Sequence, residues 1–264
     1  MGGLLFDLDG VIYNGEVAIE GAAEAIAWVR EQGIPHLFLT NASSRGRGAI
    51  AEKLTRMGIP TAVTQIMSPA AAAADWLRAH AAGPAALFIR DKTKPEFEGV
   101  ALSDSVARYI VVGDLGELWD FHTLNRAFRL LHGNPDCELI ALGLTRYWKA
   151  EDGLRLDTAP YVAALECATG KKARVFGKPG REFFHAAAAK LSLAPEELVM
   201  VGDDLVTDIE GAKKAGLKAV LVRSGKYSSA DTPQGPDLMM DSVESLPDRK
   251  STRLNSSHIP LSRM

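Results

Sequence analysis

The chain has 264 residues, 47% of them hydrophobic and 24% charged, with 30 Lys and Arg against 33 Asp and Glu. That composition excludes a disordered or collagen-like chain, and a net charge of −3 gives no bulk attraction for nucleic acid or an anionic membrane. No apolar run approaches the ~18 residues that span a bilayer. The first residues lack the basic region of a signal peptide, and Phe6 stands where a myristoylation motif on Gly2 would need Ser or Thr. The only cysteines, Cys137 and Cys167, form no CxxC pair, so a reducing, cytoplasmic setting is expected.

In chain order, Gly3–Phe6 and His36–Leu39 are compact apolar runs, each closed by a polar cluster, as strands buried on both faces read. Between them Gly21–Gln32 carries Ala25, Ile26, Trp28 and Val29 at helical spacing, and Gly33 and Pro35 stop it. Strand, helix and strand make one βαβ unit. A second helix is predicted over Arg45–Met57, ended by Gly58. Residues 68–173 have strands of their own at Ala86–Ile89, Tyr109–Val112 and Leu139–Leu142, and helices at Phe121–Leu131 and Pro160–Ala168. They read as a second α/β domain inserted into the first. The first style then returns. A strand over Arg174–Phe176 and a helix over Glu182–Leu191 precede the strand Leu198–Val201. A helix over Ile209–Ala215, stopped by Gly216, and the strand Ala219–Val222 follow. The expected organisation is a core of 1–67 and 174–248 with 68–173 inserted. Residues 249–264 are basic, without acidic residues or apolar periodicity, and read as a non-native or disordered tail.

Four polar clusters follow apolar strands. Asp7-Leu8-Asp9-Gly10 closes the first. Two carboxylates this close raise one another's pKa or need a cation, and Mg²⁺ takes oxygen ligands of this kind. Thr40-Asn41, with Ser43 and Ser44 before a helix, resembles a phosphate cradle. Gly177-Lys178-Pro179 supplies a cation, and Gly202-Asp203-Asp204 with Asp208 adds carboxylates at another strand end. Each cluster alone also fits a plainer role: an acidic turn, N-capping by Ser43 or Ser44, a solvated lysine, an acidic loop. The six histidines make no metal-ligand spacing, and neither GxGxxG nor GxxxxGK[ST] occurs.

Taken in order, Asp-x-Asp, Thr, Lys and Gly-Asp-Asp-x3-Asp resemble the four motifs of the haloacid dehalogenase-like (HAD) phosphohydrolase superfamily. The insertion between the Thr and Lys motifs looks like a C2-type cap, which points to subclass IIA. Asn125–Leu131, Arg146–Lys149, Tyr161–Gly170, Val201–Asp204 and Val222–Tyr227 are similar to the group of phospholysine phosphohistidine inorganic pyrophosphate phosphatases and haloacid dehalogenase-like hydrolase domain-containing protein 2. The resemblance implies a Rossmann-like parallel α/β core with an inserted α/β cap, and hydrolysis of a small phosphorylated molecule. It makes Asp7 the nucleophile that forms an aspartyl-phosphate and Asp9 the general acid and base. Thr40, Asn41 and Lys178 would bind phosphate. Mg²⁺ would sit on the Asp7 carboxylate, the Asp9 carbonyl and Asp203, with Asp208 supporting the shell.

Many relatives carry an Asn-Pro-Asp-like loop where this chain has Gly143-Leu144-Thr145-Arg146-Tyr147-Trp148-Lys149, which argues against nucleotide or small-sugar substrates. Arg146 or Lys149 could meet a second anionic group of the substrate, or both are solvated. The resemblance also allows a homodimer through the cap, with neither nucleic acid nor membrane as partner. A phosphoacceptor switch and an inactive interaction scaffold are the alternatives. Receivers lack an insertion of this size, and Asp7, Asp9, Lys178 and Asp203 are all in place.

Overall fold

The computed structural model describes residues 2–41, 46–150, 153–226 and 235–247, the side chains of 148–150 excepted. Ser43, Ser44, the Lys149 side chain and the 249–264 tail lie outside the described residues. In chain order the elements are β1 (Gly3–Asp7), β2 (Tyr13–Asn14), β3 (Val17–Ala18), α1 (Ala22–Glu31), β4 (His36–Leu39), α2 (Arg47–Arg56), β5 (Ile66–Met67), α3 (Pro69–His80), β6 (Ala85–Phe88), β7 (Tyr109–Val112), α4 (Phe121–His132) and β8 (Glu138–Ala141). They continue with β9 (Tyr147–Ala150), β10 (Gly153–Leu156), α5 (Thr158–Thr169), β11 (Arg174–Val175), α6 (Arg181–Leu191), β12 (Leu198–Gly202), α7 (Gly211–Lys214), β13 (Lys218–Val222) and β14 (Leu238–Met240).

The chain divides into two compact units, Met1–Thr40, Arg47–Met67 and Phe184–Met264 in one, Asn41–Gly46 and Ser68–Phe183 in the other. The first unit is built on a six-stranded sheet in the order β14-β13-β12-β1-β4-β5, parallel throughout. β1 and β12 are buried at every position, which is why they read as continuous apolar runs rather than alternating ones. The core of this unit gathers Leu4, Phe6, Ile26, Phe38, Leu54 and Val201. Burying each such side chain contributes about 1.5–3 kcal/mol. α1 presents Ala22, Ala25, Ile26 and Val29 to that core, and Gly33, at φ +64°, lets the chain leave it for β4.

The second unit is built on a four-stranded parallel sheet, β11-β8-β7-β6. Its core includes Phe88, Ile110, Val112, Leu131, Leu139 and Leu165. Ser68 accepts the Ala71 amide at 3.2 Å, and Asp120 the Thr123 amide at 2.7 Å, so α3 and α4 each start on a side-chain cap. The parallel α/β reading holds in both units. Where one helix is expected over Ile209–Ala215, winding begins at Leu205, with a π-helical segment, Leu205–Glu210, followed by α7. Asp204 causes this: its Oδ1 accepts the amides of Val206 and Thr207 at 3.0 and 2.9 Å, so winding starts earlier. Two short antiparallel hairpins, β2–β3 and β9–β10, have no counterpart in the sequence reading.

Candidate active site

β1 and β12 are adjacent parallel strands, with Phe6 opposite Val201. Their C-terminal ends therefore deliver Asp7 and Asp203 to the same sheet edge, where α/β sheets bind ligands. Asp208 joins them from the π-helical turn. One carboxylate oxygen from each of Asp7, Asp203 and Asp208 lies within 4.8 Å of the others, and the three residues are 8%, 1% and 0% exposed. Two ionised carboxylates at that separation repel by roughly 3–4 kcal/mol at an effective dielectric of 20. The group holds together only where donors or cations compensate.

Part of that compensation comes from the chain. The Lys226 amide donates to Asp203 Oδ2 at 2.7 Å, and the Asp204 amide to Asp208 Oδ2 at 3.2 Å. Lys226 Nζ stands 3.5 Å from Asp204 Oδ2. Burial pulls the Lys226 pKa down, but Asp203, Asp204, Asp7 and Asp208 outweigh it and hold the ammonium above its ordinary value. A donor set made only of carboxylate oxygens suits a hard divalent ion, so the three residues fit Mg²⁺.

Glycines make room for the cluster. A Cβ on Gly10, at φ +88°, would sit 2.2 Å from Asp203 Oδ2, and one on Gly225 would sit 2.1 Å from the same atom. A Cβ on Gly202 would fall 2.3 Å from the Asp208 Cβ. Ser224 Oγ ties the loops together by donating to the Gly10 carbonyl at 2.7 Å. Sequence reasoning assigns roles to Asp7, Asp203 and Asp208 but none to Gly10, Gly225, Ser224 or Lys226, nor a capping role to Asp204. The available signal was glycine directly beside an acidic or basic motif residue, as in Asp9-Gly10, Gly202-Asp203 and Gly225-Lys226.

Asp9, unlike the buried trio, is exposed. Its Oδ1 accepts the Gly15 amide at 3.3 Å. Thr40 is buried just beyond β4, its amide donating to the Met67 carbonyl at 3.1 Å. In the second unit Asn41 and Lys178 are joined reciprocally. Asn41 Nδ2 donates to the Lys178 carbonyl and the Lys178 amide donates to Asn41 Oδ1, both at 2.8 Å. Lys178 is 3% exposed, so a solvated surface lysine is excluded. Gly177 before it allows close approach, since a Cβ there would meet Gly143 Cα and the Leu142 carbonyl at 3.2 Å. Arg146 is exposed, its guanidinium 5.9 Å from the Tyr147 ring.

Residues 4–103 match the haloacid dehalogenase-like hydrolase family and residues 175–246 the HAD-hydrolase-like family. Phospholysine phosphohistidine inorganic pyrophosphate phosphatase of Xenopus laevis is 40% identical over 233 residues, 86% of this chain and 85% of that protein. The chain belongs to the haloacid dehalogenase-like hydrolase family. Haloacid dehalogenase-like hydrolase domain-containing protein 2 of Mus musculus is 38% identical, over 86% of each chain. Among solved structures, p-nitrophenyl phosphatase from Archaeoglobus fulgidus superposes with a TM-score of 0.84 at 26% identity, over 94% of this chain and 98% of that one. The fold is thus the HAD fold with a cap, and this HAD-family protein is a phosphohydrolase. Among the described residues no helix is long and apolar enough to cross a membrane.

Proposed function

We propose that the protein is a Mg²⁺-dependent phosphatase that hydrolyses a small phosphorylated molecule through an aspartyl-phosphate on Asp7. The observation that carries this reading is the buried trio Asp7, Asp203 and Asp208 at the ends of adjacent parallel strands. Asp7, Asp203 and the Asp9 carbonyl would hold the ion, with Asp208 supporting its shell. When bound, Mg²⁺ offsets the negative charge of nucleophile and phosphoryl oxygens. The Asp7 carboxylate forms the bond to phosphorus as the bond to the leaving atom breaks, and Asp9 gives that atom its proton. Asp9 then takes a proton from water, which attacks the phosphorus and releases phosphate from Asp7. Thr40, Asn41 and Lys178 take the phosphate-binding roles, and exposed Arg146 is assigned to a second anionic group of the substrate.

Phosphoamides, pyrophosphate and phosphoesters, the classes suggested by the names of the relatives, form the substrate panel, because cap loops rather than fold decide the choice. Cys137 is buried and Cys167 exposed, both as free thiols, which supports a cytoplasmic setting. The deciding experiment measures phosphate release from p-nitrophenyl phosphate with and without Mg²⁺, alongside Asp7→Asn. Metal-dependent turnover that Asp7→Asn abolishes is expected, while the variant melts no lower than wild type because one of three clustered like charges is gone. Turnover indifferent to chelation overturns the metal assignment. A folded but inactive wild type points to an interaction scaffold, and a long-lived phospho-Asp7 to a phosphoacceptor switch.

A further inference from the structure

The first unit buries a lysine that the catalytic reading does not use. Lys53, on α2, is 5% exposed. Its Nζ donates to the Gly15 carbonyl, lies 3.4 Å from Glu16 Oε1 and sits 3.6 Å above the centre of the Tyr13 ring. A carbonyl, a carboxylate and an aromatic face surround the ammonium, which is how a buried cation is kept from an uncompensated desolvation cost. An aliphatic side chain would fill the same space without that cost. Packing therefore does not account for a lysine here.

The three partners all belong to the β2–β3 hairpin, and its turn leads back to Asp9. Gly15, at φ +56°, offers its carbonyl to Lys53 and its amide to Asp9 Oδ1 at 3.3 Å. The Tyr13 carbonyl accepts the amide of Gly10, the residue after Asp9, at 2.7 Å. On another side, Asn14 Nδ2 donates to the Ser224 carbonyl at 3.1 Å. A two-residue hairpin has little stability of its own. Its turn is held by what it touches, and Lys53 is a buried anchor for it.

We infer that Lys53 is a positioning residue that clamps the Gly15 turn so that the Gly15 amide fixes the Asp9 carboxylate for proton transfer. This rests on Asp9 being the general acid of the proposed phosphatase reaction. It separates Lys53 from the phosphate-binding lysine, Lys178: Lys53 acts on the leaving group through Asp9 and has no part in binding phosphate.

The test compares kcat/KM, which reports the steps through phosphoryl transfer to Asp7, for two substrates and four proteins. The substrates are p-nitrophenyl phosphate, whose leaving group needs little protonation, and β-glycerophosphate, whose alkoxide needs a proton. The proteins are the full-length wild type, Lys53→Met, Asp9→Asn and the double variant. Lys53→Met is expected to lower kcat/KM for β-glycerophosphate by about 10–100-fold, within the span of general-acid catalysis, and for p-nitrophenyl phosphate by less than about 3-fold. In the Asp9→Asn background Lys53→Met costs nothing further. Equal losses on both substrates, or losses that add to those of Asp9→Asn, overturn the inference. If Lys53→Met does not fold, Lys53→Arg is read instead: a preserved β-glycerophosphate rate supports the clamp, and a uniform loss on both substrates overturns it. Failure of the phosphatase reading shows separately, as a wild type without turnover or indifferent to Asp7→Asn.

Discussion

The two units place their charges differently. In the first, Asp7, Asp203, Asp208, Lys53 and His36 are all buried. In the second, ion pairs such as Arg126–Asp104, Arg155–Glu117 and Lys172–Glu166 lie at the surface, and Arg90–Asp114 is half-buried. Among the described residues Lys178 is the one charged side chain buried there, and it carries one of the four family motifs. Burying an ion costs several kcal/mol before its partners are counted, whereas an exposed pair is worth about 0–1 kcal/mol. Asp7, Asp203, Asp208 and Lys178 belong to the motif clusters, whereas Lys53 and His36 do not, so charge burial reaches beyond the motifs, and the exposed pairs serve solubility more than stability.

The contrast breaks most visibly at the glycines that shelter the carboxylates. Gly10→Ala combines an unfavourable positive φ with a Cβ on top of Asp203. A loss of about 2–5 kcal/mol by denaturant unfolding is expected, together with loss of turnover; a variant as stable as wild type would show that the loops at Gly10 and Asp203 yield easily.

A smaller effect sharpens the comparison through pH. Burial is the main cause that lowers the His36 pKa below its ordinary 6.5, helped by the Arg30 charge and opposed by the Ile34 carbonyl. The unfolded chain then takes up a proton that the folded imidazole resists. This contribution is complete above pH 6.5 and is lost as pH falls below it. Melting curves between pH 8 and pH 5.5 are expected to fall less steeply for His36→Gln than for wild type, and parallel curves would remove His36 from the account. The smallest effect belongs to the surface of the second unit. Asp104→Asn breaks the 2.9 Å pair with Arg126 and is expected to change stability by less than about 0.5 kcal/mol, since the Asp104 side chain is 83% exposed. A loss above 1 kcal/mol would show that this pair is part of a larger network.

How much the sequence disclosed depends on how strongly each element was patterned. β4 and β7 fall on the predicted residues, and β1, β8 and β12 within one residue of them, because buried parallel strands are short apolar runs between polar boundaries. The β2–β3 hairpin escaped because two residues per strand carry no period: Val17 and Ala18 are both exposed. The π-helical turn escaped because its cause is one side chain, Asp204, taking two amides. At the site, Asp7 and Asp203 were legible as carboxylates that end apolar strands. Lys53 was not, because on a helix of mixed polarity a lysine reads as solvated until the hairpin over it is known. Gly225 and Ser224 act from a loop more than 200 residues from Gly10, a distance that no local pattern spans.

The position of β1 has a consequence for synthesis on the ribosome. β1 lies between β4 and β12, with Gly3 opposite Leu198. One neighbour of β1 is made within forty residues, but the other waits until the whole second unit has been translated. At about 5–20 residues per second, one edge of the central strand stays open for roughly 10–40 s. During that interval the second unit, nearly continuous in sequence over Ser68–Phe183, has every strand of its sheet in hand. The nascent chain is thus expected to complete its later-starting half first, leaving a long-lived open edge for a chaperone to guard.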